Sequence, residues 1–194
     1  IIGMQAKVGK EKKMIDADEE PFRAKLDQFG TLKPAFKKDG TVTAANASSL
    51  SDGAAAVVLA SKEFVEKHKL KPIARVVGQA SFAQAPEWFT TAPVGAVQSL
   101  VKKTGKNLKD IDLFEINEAF SVVALACIKD LGLDPNKVNI RGGAVALGHP
   151  IGASGTRILT TLIHALQDER KTLGVATLCI GGGEGSAVMV EVLH

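Results

Sequence analysis

The rhythm of apolar and polar positions changes near residue 50. The first fifty residues are polar, with scattered Gly, Pro and Lys, and predict loop and short irregular elements. The small-residue stretch TVTAANASSLSDG follows, rich in turn formers. Next, AAAVVLAS (54–61) is an unbroken apolar run that predicts a buried strand, and the charged KEFVEKHK after it predicts a helix capped by Ser61. A strand is predicted from near Pro72 in LKPIARVVGQAS. APVGAVQSLVKKTG predicts a helix opened by Pro93 and closed near Gly105. IDLFEI reads as a strand, and NEAFSVVALACIKDLG as a helix with Phe120, Val123, Ala124, Cys127, Ile128 and Leu131 on one face and Gly132 as its C-cap. VNI predicts a short strand, and Pro150 a helix start running through IGASGTRILTTLIHALQD. LGVATLCI and SAVMVEVL predict two strands around the glycine-rich GGGEG.

The order β-α-β-α-β-α-β-β predicts an α/β layered sheet. Too few residues join the last two strands for a helical crossover, so they are expected to pair antiparallel. DGAAAVVLA near residue 52 echoes EGSAVMVEV near residue 184, which is either chance or the trace of a duplicated half.

Composition narrows the class. The chain has 194 residues, 45% of them hydrophobic and 23% charged, as a globular domain with an ordinary core requires. The net charge of +3 is mild, and the basic run KVGKEKK is followed at once by the acidic DADEE, so no nucleic-acid partner is expected. Cys127 and Cys179 form no CxxC pair, which excludes zinc and redox-pair motifs and suits a reducing compartment. No apolar run approaches the roughly 18 residues of a membrane span. The chain begins at Ile1 with neither a signal peptide nor a start methionine, which reads as a cut from something longer.

Three positions suggest chemistry. His149 stands between Gly148 and Pro150, within RGGAVALGHPIGASGTRIL. At a helix start the positive end of the dipole disfavours the imidazolium, and the small neighbours allow close approach of a ligand; a tightly packed helix cap would have the same sequence. Asn117 follows a predicted strand and opens a predicted helix, so an N-cap explains it equally, and Glu118 fits the first turn of that helix. Cys179 ends a predicted strand ahead of three glycines. A structural cysteine is the plain reading, yet a glycine turn offers backbone N–H groups to a carbonyl oxygen. All three follow predicted strands, where ligands bind in open α/β sheets. Cys127 lies mid-helix on the apolar face and belongs to the core. GHPIGASG does not fit GxGxxG and no GK[ST] follows, so these glycines are not a nucleotide loop.

NEAF, GGAVALGHPIGASG and CIGGGEG, in this order and spacing, together with GTVTAANASSLSDGAAAV, resemble the thiolase family over nearly the whole chain. The resemblance is closest to its short-chain branch. It implies acyl transfer between coenzyme A thioesters, as reversible Claisen condensation or thiolysis of acetoacetyl-CoA, with the thioester as substrate and no cofactor. It implies two similar βαβαβαββ halves with a loop domain inserted in the first. Residues 1–70 would then hold the end of the loop domain and the last elements of the N-terminal half, and 71–194 the C-terminal domain. By resemblance, His149 activates a nucleophilic cysteine and, with a water held by Asn117, stabilises the thioester oxyanion. Cys179 is the acid/base at the acetyl methyl, and the Gly181 N–H helps form a second oxyanion hole. Ser48 matches a position that contacts the pantetheine arm, and Arg23 is the nearest candidate for the nucleotide end.

One departure carries weight. The family's acylated cysteine lies in the first half, and neither Cys127 nor Cys179 occupies its motif. The chain alone is therefore expected not to turn over, and its first partner is the missing half bearing that cysteine. WFTTAP (88–93) replaces a Met-Gly type segment near the acyl pocket, so chain-length preference is open. The family also implies a homo-oligomer, tetramer or dimer, in the cytoplasm or, in a eukaryote, the mitochondrial matrix. The alternative is a non-catalytic module of the same fold that binds acyl-CoA or lipid.

Overall fold

Short apolar runs build the central sheet of the computed structural model, which describes residues 2–194; Ile1, and the reading of the chain start that rests on it, lie outside them. Strands β3 (Ala74–Ala83), β4 (Leu113–Ile116), β5 (Leu173–Ile180) and β6 (Glu184–Val192) form a sheet of order β3-β6-β5-β4. The last two strands pair antiparallel, as their short connection requires, while β4 and β5 run parallel. Phe114, Val175 and Met189 point to one face, with Val97 and Leu100 of α3 (Ala92–Thr104) and Val123 and Cys127 of α4 (Ser121–Leu131). Leu113, Ala176 and Val190 point to the other, with Ile158, Leu162 and Leu166 of α6 (Ser154–Asp168). With both faces covered, β5 is buried almost throughout, which is why its sequence reads as a continuous apolar run.

The predicted caps hold where local chemistry decides them. Ser61 accepts a 3.2 Å bond from the Phe64 N–H at the start of α2 (Lys62–Lys67), and Gly105 and Gly132 close α3 and α4 in the left-handed region. Other expectations are corrected. Residues 54–61 form no strand: among the described residues no strand lies beside them to take their backbone bonds, and Val58 is 98% exposed. VNI contributes one bridge, Val138 to Phe114, because Asn139 at φ 50 turns the chain away.

The chain divides into two compact units between Ala45 and Asn46. The first, expected to be irregular, contains a hairpin of β1 (Met4–Val8) and β2 (Glu11–Ile15), turned at Gly9 with φ 65. A one-turn helix α1 (Glu20–Arg23) and a 3₁₀ segment, Leu26–Thr31, follow it. The second unit holds the four-stranded sheet and, before α6, the one-turn helix α5 (Ala144–Leu147). No helix among the described residues is long and apolar enough to cross a membrane.

Candidate active site

Three chain segments meet at the C-terminal ends of β4 and β5. The segment after β4 does not become helix at Asn117, as its capping propensity predicts. It stays non-helical to Phe120, with a bend at Ala119, and residues 46–50 run beside its end: Ala47 bridges to Phe120, and the Ser121 N–H donates to Asn46 O at 2.9 Å. The same strap continues to the third segment, where Leu50 bridges to His149 and the His149 N–H donates to Ser49 O at 2.8 Å. Ser48 lies in the strap; its N–H and its hydroxyl both donate to Ala119 O, at 3.1 and 2.9 Å. The strap thus holds the two chemistry-bearing loops side by side.

Freed from capping, the Asn117 amide serves the site. Its Nδ2 lies 3.3 Å from His149 Nε2, and the residue is 1% exposed. Its Oδ1 is buried without a protein partner, a state that costs about 1–3 kcal/mol unless something else supplies a donor. His149 is not at a helix N-terminus as expected. It follows Gly148, the C-cap of α5, and α6 begins only at Ser154 after a turn at 151–153. Burial, aided by the Arg157 charge, therefore lowers its pKa and keeps the ring neutral, in place of the dipole invoked from sequence. The other ring nitrogen, Nδ1, sits 2.5 Å from Ser154 Oγ.

A second polar knot fixes the loop before His149. Glu118 Oε1 accepts from Asn139 Nδ2 at 3.1 Å, and Oε2 from the Val145 N–H at 3.2 Å. Asn139 is itself clamped to β4, accepting from the Ile116 N–H at 2.7 Å and donating to Ile116 O at 2.9 Å. A Cβ at position 143 would lie 2.2 Å from the Glu118 carboxyl, so Gly143 makes room for this knot. Gly148, at φ +91, passes so close to the strap that a Cβ would fall 2.1 Å from Ser51 Oγ. Behind the knot, Glu115 on β4 is 2% exposed, and burial pushes its carboxyl up to about 7 against the pull of Arg157; Glu118 adds to the rise.

Cys179 occupies the penultimate position of β5, with its side chain on the α3/α4 face. The Asn117 N–H donates to Thr177 O at 2.9 Å, so Cys179 lies two residues further along the strand that Asn117 abuts, roughly 7 Å in chain rise. Burial raises its thiol pKa. Gly181 opens the turn after β5, and a Cβ there would meet nothing within 4 Å. Cys127 is core as expected, fully buried, with its thiol pushed up to about 12 by burial first and by Cys179 and Asp130 next. Arg23 belongs to the first unit, where it pairs with Glu19 at 2.5 Å and Glu20 at 3.4 Å.

The structure thus brings Asn117 and His149 into contact and sets Cys179 at the neighbouring strand end. A neutral buried imidazole beside an amide can take a proton or polarise a carbonyl, and a thiol kept protonated by burial can give one. Sequence reasoning missed Ser154, Glu118's bonding role, Asn139, Glu115 and Arg157. The signal for Ser154 was its place four residues after Pro150, from which its hydroxyl bonds back to Pro150 O at 3.0 Å.

The site stands within a chain that matches known families. The family profile described as thiolase, C-terminal domain, matches residues 70–192, and that described as thiolase, N-terminal domain, residues 1–63. A Mus musculus protein named acetyl-CoA acetyltransferase, cytosolic, is 52% identical over 180 residues, 91% of this chain and 45% of that protein. The crystal structure of the Bacillus anthracis acetyl-CoA acetyltransferase superposes at a TM-score of 0.92 with 43% identity, over 100% of this chain and 49% of that one. Acat5 thiolase from Ascaris suum in complex with coenzyme A gives 0.85 and 49%, over 93% of this chain and 47% of that one. The chain spans about half the length of the curated relatives it matches.

Proposed function

The chain belongs to the thiolase family, and from that premise we propose that it carries one part of an active site for acyl transfer between coenzyme A thioesters, working on acetyl and acetoacetyl groups. The observation that carries the reading is the buried contact between Asn117 Nδ2 and His149 Nε2, beside an Asn117 Oδ1 that has no protein partner. A water held at that oxygen would, with His149, face a thioester oxygen. The nucleophile is a cysteine outside these residues, because Cys127 is buried core and Cys179 is assigned to proton transfer. His149 takes the proton of that cysteine; its sulfur then attacks the incoming thioester, and the departing coenzyme A thiolate recovers the proton. In condensation, Cys179 as thiolate removes a methyl proton from acetyl-CoA, the carbanion attacks the acyl carbon, and the bond to the nucleophilic sulfur breaks. In thiolysis, the Cys179 thiol returns that proton. Its raised pKa stores the form thiolysis uses first. Gly181, in the open turn, would supply an N–H to the second thioester oxygen.

On the substrate side, Ser48 is assigned to the pantetheine arm, which the acceptor lone pairs of its hydroxyl suit, and Arg23 to the nucleotide phosphates. Residues 1–70 would complete an N-terminal half with its loop domain and 71–194 form the C-terminal domain. The 194 residues alone should not turn over, no further cofactor is required, and the whole protein would be a cytoplasmic homo-oligomer. To test this, the full-length protein is assayed for acetoacetyl-CoA thiolysis and for exchange of acetyl-CoA α-protons. Cys179→Ala should abolish exchange and His149→Ala should abolish enzyme acylation. Exchange at the normal rate in Cys179→Ala would refute the assignment. Thioester binding without any turnover in the wild type would favour the non-catalytic binding module.

A further inference from the structure

We infer that Ser154 is a positioning residue that holds His149 in the Nδ1–H tautomer, leaving Nε2 as the site's proton acceptor. The role assigned to Nε2 rests on the acyl-transfer reading above; the tautomer itself does not. Ser154 is completely buried, and its hydroxyl has one proton to give. Two neighbours compete for it: Pro150 O at 3.0 Å and His149 Nδ1 at 2.5 Å. Pro150 O already accepts the Ala153 and Ser154 N–H groups at 2.8 Å, but a carbonyl can only accept whereas a ring nitrogen can also donate, so only a hydroxyl proton on Pro150 O makes hydrogen bonds of both Ser154 contacts. With the hydroxyl proton on Pro150 O, Ser154 Oγ presents only lone pairs to the ring, and Nδ1 must carry the hydrogen. The opposite side of the ring agrees: Asn117 Nδ2, a donor, faces Nε2 at 3.3 Å, and two donors cannot share that contact. Both neighbours therefore select one tautomer.

The choice matters because Nε2 faces the Asn117 side of the site, where a thiol proton would be taken up. Were Nε2 already protonated, that proton would have no acceptor. Ser154 also accepts from Nδ1–H once the ring becomes imidazolium, so it supports the charged ring without touching the substrate.

The test reads the ring nitrogens directly, by two-bond proton–nitrogen correlation of histidine-labelled full-length protein. The wild type should show a protonated Nδ1 and a bare Nε2 at His149. Ser154→Ala removes the acceptor for Nδ1–H, so the Nε2–H form should appear as the Asn117 amide turns its unpartnered Oδ1 to the ring, and Ser154→Thr, which keeps the hydroxyl, should restore the wild-type pattern. In parallel, Ser154→Ala should lower kcat for thiolysis about 10-fold or more, short of the roughly 10²–10⁴ that acid–base catalysis supplies in full, with KM little changed. A wild-type ring protonated at Nε2 overturns the inference even if no variant folds. So does a Ser154→Ala ring with an unchanged tautomer. Absence of thiolysis in a wild type that shows the expected tautomer would instead overturn the acyl-transfer reading and leave the ring assignment standing.

Discussion

Replacing Glu115 with Gln should make the protein more stable at pH 8 and leave it unchanged near pH 4.5. Glu115 lies in the middle of β4, 2% exposed, in register with Ala176 of β5. Burial is the largest influence on its carboxyl and raises it from 4.5 to about 7; Arg157 opposes the rise and Glu118 adds to it. The folded state therefore holds a proton between those values that the unfolded state has released. Stability from this group is complete below pH 4.5 and falls as pH rises through 7. A displacement of that size corresponds to about 3 kcal/mol lost on the alkaline side. Glutamine imitates the protonated acid towards Arg157, so the two proteins should match near pH 4.5, and the variant should lead by up to about 3 kcal/mol at pH 8. His149 shifts the other way, its depressed pKa giving stability above 6.5 that is lost as pH falls, but it is common to both proteins and cancels in the difference. Urea unfolding of each, followed by circular dichroism at the two pH values, measures that difference. A gap that does not change with pH, or a variant weaker at pH 8, would show that Glu115 is held ionised by its partners and that the burial argument is wrong.

Further expectations concern the loops around His149 and the two thiols. Gly143→Ala should displace the Glu118 carboxyl and break its bonds to Asn139 and Val145, costing about 2–4 kcal/mol in urea unfolding; a loss under about 0.5 kcal/mol would mean Glu118 is free to move. Alkylation by iodoacetamide at pH 8, read by peptide mass spectrometry, should spare Cys127, whose thiol is pushed up to about 12, and modify Cys179 slowly; faster reaction at Cys127 would contradict its place in the core. Asn117→Ala should leave the fold intact, since it removes an Oδ1 that lacks a partner, while acylation in the full-length protein falls; unchanged acylation would take Asn117 out of the site.

The amino-acid order by itself determined whatever depends on near neighbours. The unbroken apolar run LGVATLCI marked β5 as a buried strand, because a strand covered on both faces has no polar side. Ser61, Gly105 and Gly132 set helix ends because a cap needs only residues within one turn. The placement of Asn117 and Cys179 at strand ends followed from counting elements, whereas His149, expected after a strand, follows α5. What the tertiary structure alone decided lies between residues far apart in the chain. Asn117 and Glu118 read as helix-opening residues, yet the helix opens only at Ser121, beside the strap at 46–50, and one side chain meets His149 while the other bonds Asn139 and Val145. His149 read as sitting on a helix dipole, but burial and Arg157 set its charge. The run at 54–61 has every local mark of a strand and forms none, because a strand exists only where a neighbour supplies the other half of its hydrogen bonds. Periodicity and capping are local energies and can be read in order; pairing partners depend on where the rest of the chain goes.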